Sequence, residues 1–218
     1  MCESSKSVVF FDLDGTLTDP VVGITESIRH ALRELGAPVP DASSLTWAIG
    51  PPLRESLAAL VGAERSERAV ALYRERFSEV GLFENEPYDG VLDVLGRLRC
   101  DGLRLIVASS KPVVYVERIA EHFGIARFLE AAFGAELDGA RSDKTELLTY
   151  ALSRTGIAAS QCVMIGDRAH DGIGARNNEM PFIGVSYGYG SRDELADYAT
   201  EIADSPMDIP AAVARTIG

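Results

Sequence analysis

The chain has 218 residues, of which 46% are hydrophobic and 25% charged, and its formal net charge is −12. This composition is typical of a globular protein with a buried core, excludes a disordered or fibrous chain, and leaves room for at most two ordinary domains. Cys2, Cys100 and Cys162 are far apart and follow no CxxC or Cys/His spacing, so they predict neither a disulfide framework nor a structural zinc site. The excess of acid predicts no binding to nucleic acid.

The apolar runs and the first residues of the chain indicate where the protein works. Runs such as residues 8–11 and 105–108 are far shorter than the ~18 residues that suggest a membrane span. The chain begins with MCESSKSVVFFDLDG, which has acidic residues where a secretory signal has a basic segment and a longer apolar stretch. We therefore expect no membrane span, no secretory signal and a location in the reducing cytoplasm.

Short β-branched apolar runs alternate along the chain with longer helical patterns, which predicts an α/β fold. Continuous apolar runs followed by polar residues or glycine predict buried parallel strands at residues 6–13, 103–108, 162–165 and 182–185. Apolar residues at helical spacing predict crossover helices around residues 91–98, 113–123 and 147–152. The sequence therefore predicts a doubly wound, Rossmann-like parallel sheet.

Residues 17–84 interrupt this alternation because they contain helical patterns and no convincing strand. Three patterns follow one another, at residues 22–35, 53–61 and 69–80. A glycine follows the first pattern and a pair of prolines precedes the second, as expected at a helix end and a helix start. We predict a helical insert at residues 17–84 in an α/β core made of residues 1–16 and 85–218.

Acidic residues follow two of the predicted strands. Asp12 and Asp14 end the first strand, and Asp167 and Asp171 follow the strand at residues 162–165. Because ligands of open α/β sheets bind outside the carboxyl ends of the strands, we expect these carboxylates at a ligand site. Four crowded carboxylates would repel one another and take up protons unless a cation lay among them. The cluster therefore predicts a metal site.

Two hydroxyl groups and a scarce lysine complete the candidate set. Ser109 and Ser110 follow the strand at residues 103–108 and can donate hydrogen bonds to a phosphate oxygen. Lys144 is one of three lysines in the chain. Taken singly, each residue has a structural interpretation, such as a helix cap for Ser109 or a solvated charge for Lys144. As a set at the ends of consecutive strands, they favour a functional site.

The candidate residues fall in four motifs that resemble those of the haloacid dehalogenase superfamily, in order and at plausible spacing. The motifs are DLDGTLT (residues 12–18), VASS with its Ser109 hydroxyl, Lys144, and IGDRAHD (residues 165–171). The helical insert resembles the smaller cap type of that superfamily. GPPLR (residues 50–54) and YDGV (residues 88–91) are most similar to phosphoglycolate-phosphatase-like hydrolases. The chain has Ser109-Ser110 where relatives often have Thr-Asn, and it lacks their Lys-Pro third motif.

The resemblance implies an Mg²⁺-dependent phosphatase acting on a small phosphorylated metabolite through an aspartyl phosphate. Mg²⁺ prefers oxygen ligands, which Asp12, the backbone carbonyl of Asp14 and Asp167 would supply. The ion would cancel the charge that keeps an anionic nucleophile from a phosphate dianion. Asp12 would attack phosphorus, and Asp14 would protonate the leaving oxygen and then deprotonate water.

The other candidate residues would hold the phosphate or the rest of the substrate. Lys144 and Ser109 would contact phosphoryl oxygens, with Ser110 beside them. The resemblance implies that Asp171 orients Lys144 or the metal waters instead of binding the metal directly. Arg54 lies at a predicted helix start, where it would read a carboxylate such as that of phosphoglycolate. A surface arginine on an amphipathic helix explains Arg54 equally well.

Other functions use parts of the same set. A phosphoacceptor signalling domain is a non-enzymatic alternative, but it needs no general acid such as Asp14. Dehalogenation gives Asp14 no clear task, and a phosphonatase needs a lysine in the insert, where residues 17–84 contain none. A sugar phosphomutase and a 5′-nucleotidase of the same superfamily remain open. His170 is interpreted as a loop residue, and residues 187–190 either border the pocket or form a glycine-spaced turn. Neither is included in the predicted site.

Overall fold

The computed structural model describes residues 7–217, which form eight strands and nine α-helices. The strands are β1 (Val8–Phe11), β2 (Thr18–Asp19), β3 (Glu86–Pro87), β4 (Arg104–Pro112), β5 (Ala131–Ala135), β6 (Cys162–Gly166), β7 (Phe182–Val185) and β8 (Glu201–Ala203). The helices are α1 (Val21–Glu34), α2 (Leu53–Val61), α3 (Ala63–Arg76), α4 (Val91–Cys100), α5 (Val113–His122), α6 (Lys144–Thr155), α7 (Ala169–Asn177), α8 (Arg192–Ala196) and α9 (Ile209–Ile217). Within the described residues, no helix combines the length and apolar character needed to cross a bilayer.

Six of the strands form one parallel sheet in the order β5-β4-β1-β6-β7-β8. Strand β1 lies in the interior, with Val9 paired to Leu105 on one side and to Val163 on the other. Alternate residues of a strand point to opposite faces, so Val9 belongs to one apolar cluster while Phe10 belongs to a second cluster. The predicted doubly wound α/β fold is confirmed, and the carboxyl end of β1 lies between those of β4 and β6.

The helical insert occupies residues 21–81, between the two strands of a short antiparallel ribbon. In this ribbon Thr18 of β2 pairs with Pro87 of β3. Helix α3 continues into a π-helical turn, Phe77–Gly81, that packs closely against α1. A Cβ atom at Gly23 would lie 2.0 Å from the carbonyl oxygen of Gly81, so the contact requires a residue without a side chain. The insert is thus a packed helical unit joined to the sheet through two neighbouring chain segments.

Several element predictions need correction. The first strand starts at Val8, and residue 6, where it was predicted to start, lies outside the described residues. Strands β3, β5 and β8 were missed, and β2 lies in the segment predicted to contain no strand. The apolar face assigned to residues 69–80 ends early, because Val80 lies in the π-helical turn and is exposed. Two- and three-residue strands carry too few side chains to show a periodic pattern.

Candidate active site

Three buried aspartates meet at the carboxyl edge of the sheet. Asp12 follows β1, Asp167 follows β6 and Asp171 lies in the first turn of α7, with one carboxylate oxygen of each within 4.8 Å of the others. Asp167 Oδ1 has no hydrogen-bond partner among the described residues. Burial raises the pKa of Asp167, and the charges of Asp171 and Asp12 raise it further. A divalent cation would relieve both effects, so these carboxylates fit the divalent metal that this sheet edge was predicted to hold.

Lys144 is the cation that the fold itself places beside this cluster. Its Nζ atom donates to Asp12 Oδ1 (3.0 Å) and to the carbonyl oxygen of Ala108 (2.8 Å), and lies 2.7 Å from Asp171 Oδ1. Burial alone would lower the pKa of Lys144, but the carboxylates of Asp12 and Asp171 outweigh burial and raise it. The other oxygen of Asp171 accepts from the backbone N–H of Arg168 (3.2 Å). Asp171 therefore holds Lys144 in place as a charged ammonium.

Asp14 points to a second lysine. The carboxylate of Asp14 lies 2.7 Å from Lys111 Nζ, and both side chains are buried. Burial raises the pKa of Asp14, and the Lys111 ammonium opposes that increase. A raised pKa favours the protonated form that a general acid needs. Sequence reasoning missed Lys111, although its place directly after Ser110 and the scarcity of lysine were available signals.

The four aspartates and two lysines of the site carry a net negative charge when all of them are ionised. Four aspartates face two lysines at the carboxyl edge of the sheet. If all six are ionised, two negative charges remain in a buried region, where unpaired charge is costly. One divalent cation would neutralise them.

The two serines predicted to bind phosphate border a cavity of about 320 Å³ between the core and the insert. Asp12, Asp14, Ser109 and Ser110 contribute to its wall on the core side. Ser109 is buried, and its hydroxyl oxygen accepts weakly from the backbone N–H of Lys111 (3.4 Å). The cavity therefore gives a substrate access to the aspartates at the end of β1.

Arg54 lies on the insert side of the cavity, apart from the buried cluster. Its side chain is 51% exposed and forms an ion pair with Glu67 of α3. Lys144, Asp167 and Asp171 are not part of the cavity wall. The structure thus brings the predicted catalytic and metal-binding residues together and separates Arg54 from them.

Three aromatic rings line the same cavity. Tyr73 and Phe77 come from the insert, and Tyr115 comes from α5. The rings of Tyr73 and Phe77 are stacked with centroids 5.1 Å apart, and Phe77 meets Tyr115 edge-on at 5.5 Å. Lys111 Nζ lies 4.7 Å from the centroid of Phe77. The sequence pattern placed Tyr73 and Phe77 on a buried helical face, but it did not show that this face borders a cavity.

Arg168 and Arg74 connect the insert with the core. Arg168 Nη1 donates to the carbonyl oxygen of Ile49 (2.8 Å), and its Nε donates to Glu194 (3.1 Å). Arg74 of α3 donates to the carbonyl oxygen of Leu137 (2.6 Å). Both arginines bind backbone carbonyls across the boundary, so the insert is held over the cavity by direct polar contacts.

A parallel α/β sheet with buried aspartates and lysines at its carboxyl edge, beneath a helical insert, is the architecture of a phosphoryl-transfer hydrolase. Residues 9–185 match the family model of the haloacid dehalogenase-like hydrolases. The chain belongs to this family, and the resemblance carried by its four motifs is confirmed.

Curated relatives and solved structures agree with this assignment. The chain is 48% identical to a "5′-nucleotidase" of Pseudomonas aeruginosa (86% of each chain) and 41% identical to "Tyrosine-protein kinase PtkA" of Mycobacterium tuberculosis (91% of this chain, 68% of the relative). It is 30% identical to a "Phosphoglycolate phosphatase" of Caulobacter vibrioides (94% and 90%). A "predicted phosphatase" from Clostridium acetobutylicum superposes with a TM-score of 0.92 at 40% identity, over 97% of this chain and 100% of that one. The family match, the phosphoglycolate phosphatase relative and the phosphatase structure confirm the prediction of a phosphatase, a phosphoric monoester hydrolase.

Proposed function

We propose that the protein is an Mg²⁺-dependent phosphatase that hydrolyses small phosphate monoesters through an aspartyl phosphate on Asp12. The observation that carries this proposal is the setting of Asp12, which borders the cavity and is held by Lys144 at 3.0 Å. The same carboxylate belongs to the three-aspartate cluster. A nucleophile, a fixed cation and metal-binding oxygens therefore converge where a phosphate ester can enter.

Mg²⁺ is the cation that this donor set favours. Asp12, the backbone carbonyl of Asp14 and Asp167 would hold it, since Mg²⁺ takes oxygen ligands and keeps several waters. When bound, it would neutralise the charge of the phosphate dianion and let the anionic carboxylate of Asp12 approach phosphorus.

The reaction divides between two aspartates. Asp12 attacks phosphorus, and Asp14 donates a proton to the leaving oxygen. Asp14 then accepts a proton from the water that attacks the aspartyl phosphate, which releases inorganic phosphate and restores Asp12. Lys144 and the Ser109 hydroxyl stabilise the phosphoryl oxygens, with Ser110 beside them. These steps use the same side chains in both halves of the cycle.

We propose further that residues 17–84 act as a cap that selects the substrate, and that the leaving group is a nucleoside. The rings of Tyr73, Phe77 and Tyr115 form an aromatic part of the cavity wall, against which a base can pack. A volume of about 320 Å³ exceeds what the two-carbon part of phosphoglycolate fills, and the 48% identical relative is named as a 5′-nucleotidase. Phosphoglycolate is the second candidate, because a 30% identical relative is named for it. Both are small metabolites, which fits the proposed cytoplasmic location.

A substrate panel with metal control tests the proposal. Phosphate release is measured with Mg²⁺ on the four nucleoside 5′-monophosphates, phosphoglycolate, a sugar phosphate and acetyl phosphate. We expect the highest kcat/KM for a nucleoside monophosphate, no turnover in excess chelator, and recovery with Mg²⁺. Ca²⁺ should inhibit, because it takes more ligands at longer distances. Full activity in chelator would contradict the metal requirement, and a preference for phosphoglycolate would replace the nucleotide.

The covalent step is tested separately with Asp12→Asn. Rapid quenching of a reaction with ³²P-labelled substrate should show a labelled protein for the wild type and none for this folded variant. Label on Asp12→Asn would refute Asp12 as the nucleophile. A long-lived label without phosphate release would indicate a signalling domain, isomerised sugar phosphate would indicate a mutase, and transfer from ATP to a tyrosine peptide would indicate a kinase.

A further inference from the structure

The segment Tyr187-Gly188-Tyr189-Gly190, the YGYG loop, follows β7 and packs against Asp167. The backbone N–H of Tyr189 donates to Asp167 Oδ2 at 2.7 Å. The other oxygen, Oδ1, has no hydrogen-bond partner among the described residues. The loop therefore engages one oxygen of the carboxylate and leaves the second one available.

The two glycines of the YGYG loop permit this close approach. A Cβ atom at Gly188 would lie 2.4 Å from Asp167 Cβ, 2.6 Å from Asp167 Oδ2 and 2.3 Å from the carbonyl oxygen of Gly15. A Cβ atom at Gly190 would lie 1.9 Å from the carbonyl oxygen of Asp167. Neither glycine has a positive φ angle, so what excludes a side chain at both positions is space and not backbone conformation. The surface of the loop is thus shaped around Asp167.

The two tyrosine side chains anchor the YGYG loop to the chain that leads from β1 into the insert. The Tyr187 hydroxyl donates to the carbonyl oxygen of Thr16 (2.9 Å), and the Tyr189 hydroxyl donates to Asp19. Asp19 also accepts from the backbone N–H of Val21 (3.0 Å) at the start of α1. The backbone of the loop therefore contacts the carboxylate of Asp167, and its tyrosine side chains contact the segment that leads into the insert.

We propose that the YGYG loop is a positioning element for the divalent metal, which aims Asp167 Oδ1 at the cation by holding Oδ2 with the Tyr189 N–H. The inference depends on the proposed function only in requiring a divalent cation at the three-aspartate cluster. A carboxylate that hydrogen-bonds through one oxygen keeps a fixed orientation and loses less freedom when the other oxygen binds metal. The tyrosine anchors keep the N–H in place.

Mn²⁺ binding measured by electron paramagnetic resonance tests the inference without substrate. Gly188→Ala, whose new methyl group displaces Asp167, should bind Mn²⁺ roughly 10- to 100-fold more weakly, as is typical when the group that orients a ligand is lost. Gly96→Ala in α4 is the matched control, because a Cβ atom there meets its nearest neighbour at an ordinary 3.5 Å. Its Mn²⁺ affinity should equal that of the wild type.

A second variant keeps the test decisive if Gly188→Ala fails to fold. Replacing Tyr189 by the α-hydroxy acid analogue of tyrosine converts the single N–H into an ester oxygen and keeps every side chain, and we expect a similar loss of Mn²⁺ affinity. Tyr187→Phe with Tyr189→Phe keeps the N–H and should cost only several-fold; unchanged affinity there would refute the anchoring role.

Two outcomes would overturn the inference, and only one of them would also overturn the metal site of the proposed function. Wild-type Mn²⁺ affinity in the folded Gly188→Ala variant or in the ester variant would overturn the role of the YGYG loop alone. Absence of Mn²⁺ binding by the wild-type protein would overturn the metal site of the proposed function as well.

Discussion

The buried site of the core and the surface of the insert hold their charged groups in opposite ways. In the core, Lys144 is 1% exposed and contacts Asp12 and Asp171, both of which are buried. In the insert, Arg54 and Glu67 form an ion pair in which both partners are more than half exposed. A buried pair keeps a fixed geometry and is costly to break, whereas an exposed pair is worth only about 0–1 kcal/mol. The buried pairs therefore hold the charged groups of the core site in fixed positions. The exposed pair on the insert can be substituted with little loss of stability.

The two regions also differ in the number of contacts that hold them in place. The side chains of β1 are fully buried, because parallel strands flank it and helices cover both faces of the sheet. The insert meets the core through a ribbon of two-residue strands, the aromatic contact of Phe77 with Tyr115, and the bonds of Arg168 and Arg74. Local opening is easiest where few contacts must break, so we expect the insert to move and the core site to stay intact.

After the loss of the nucleophile in Asp12→Asn, the largest effect is expected for Asp14→Asn, which removes the proton-transfer group from the core and keeps its shape. Turnover of a nucleoside monophosphate should fall by roughly 10² to 10⁴, the usual contribution of general acid–base catalysis. The formation and decay of the labelled phosphoprotein measure the two steps separately. p-Nitrophenyl phosphate is the control substrate, since its leaving group needs no proton and its first step should be nearly unaffected. An equal loss in that first step for both substrates would contradict a general-acid role for Asp14.

A smaller effect is expected for Lys111→Met, which changes a core residue that also touches the insert. Lys111 lies 2.7 Å from Asp14 and is close to the ring of Phe77. Lys111 also borders the cavity, where its ammonium would contact the phosphate. A hydrogen bond between charged groups is worth about 1.5–3 kcal/mol, so its loss should lower kcat/KM roughly 10- to 100-fold. Steady-state kinetics measure the loss, and Lys111→Arg should recover part of it. Wild-type kcat/KM in a folded Lys111→Met variant would show that this ion pair is only structural.

The difference between core and insert also explains which strands could be predicted. Parallel strands buried on both faces appear as continuous apolar runs. The four predicted strands, β1, β4, β6 and β7, are the four interior strands of the sheet. The two missed strands of this sheet, β5 and β8, are its edges. Strand β5 reads AAFGA and is partly exposed over its first three residues, and β8 has three residues. An edge strand needs less apolar surface, so its sequence carries a weaker signal.

The candidate site shows the same limit. Asp12, Asp14, Ser109 and Asp167 could be proposed from sequence because each sits in a motif at or near a strand end. Lys144 could be proposed because lysine is scarce in the chain and because it fits the third motif. The roles of Lys111, of the aromatic wall and of the YGYG loop depend on packing between segments that are distant in sequence. No periodicity or local motif reports which of those segments meet.

Arg168→Gln is expected to lower activity only for substrates that depend on the insert. The variant loses the bond to the carbonyl oxygen of Ile49 in the insert and weakens the contact with Glu194. A protein hydrogen bond typically contributes about 0.5–1.5 kcal/mol net, and the glutamine amide can keep part of this contact, so kcat/KM for a nucleoside monophosphate should fall roughly 2- to 10-fold. Acetyl phosphate, whose leaving group is too small to depend on the insert, should be hydrolysed at nearly the wild-type rate.

The matched control for Arg168→Gln is Arg192→Gln. Arg192 pairs with Asp204, and both side chains are largely exposed. Arg192→Gln should leave both substrates unchanged, because exposed pairs contribute little. A loss for acetyl phosphate as large as the loss for the nucleotide would mean that Arg168 supports the neighbouring Asp167 and not the contact with the insert.

The smallest effect is expected for Arg54→Ala, which tests whether the insert reads a carboxylate. The Arg54 guanidinium is already paired with Glu67 and is half exposed. A substrate carboxylate would therefore have to compete with both Glu67 and water. An exposed pair worth at most about 1 kcal/mol corresponds to less than about fivefold in kcat/KM, and the loss should be equal for phosphoglycolate and p-nitrophenyl phosphate. Glu67→Ala, which frees Arg54, is the informative companion. If it raises kcat/KM for phosphoglycolate alone while Arg54→Ala lowers it several-fold, Arg54 reads the carboxylate and phosphoglycolate displaces the nucleotide as the preferred substrate.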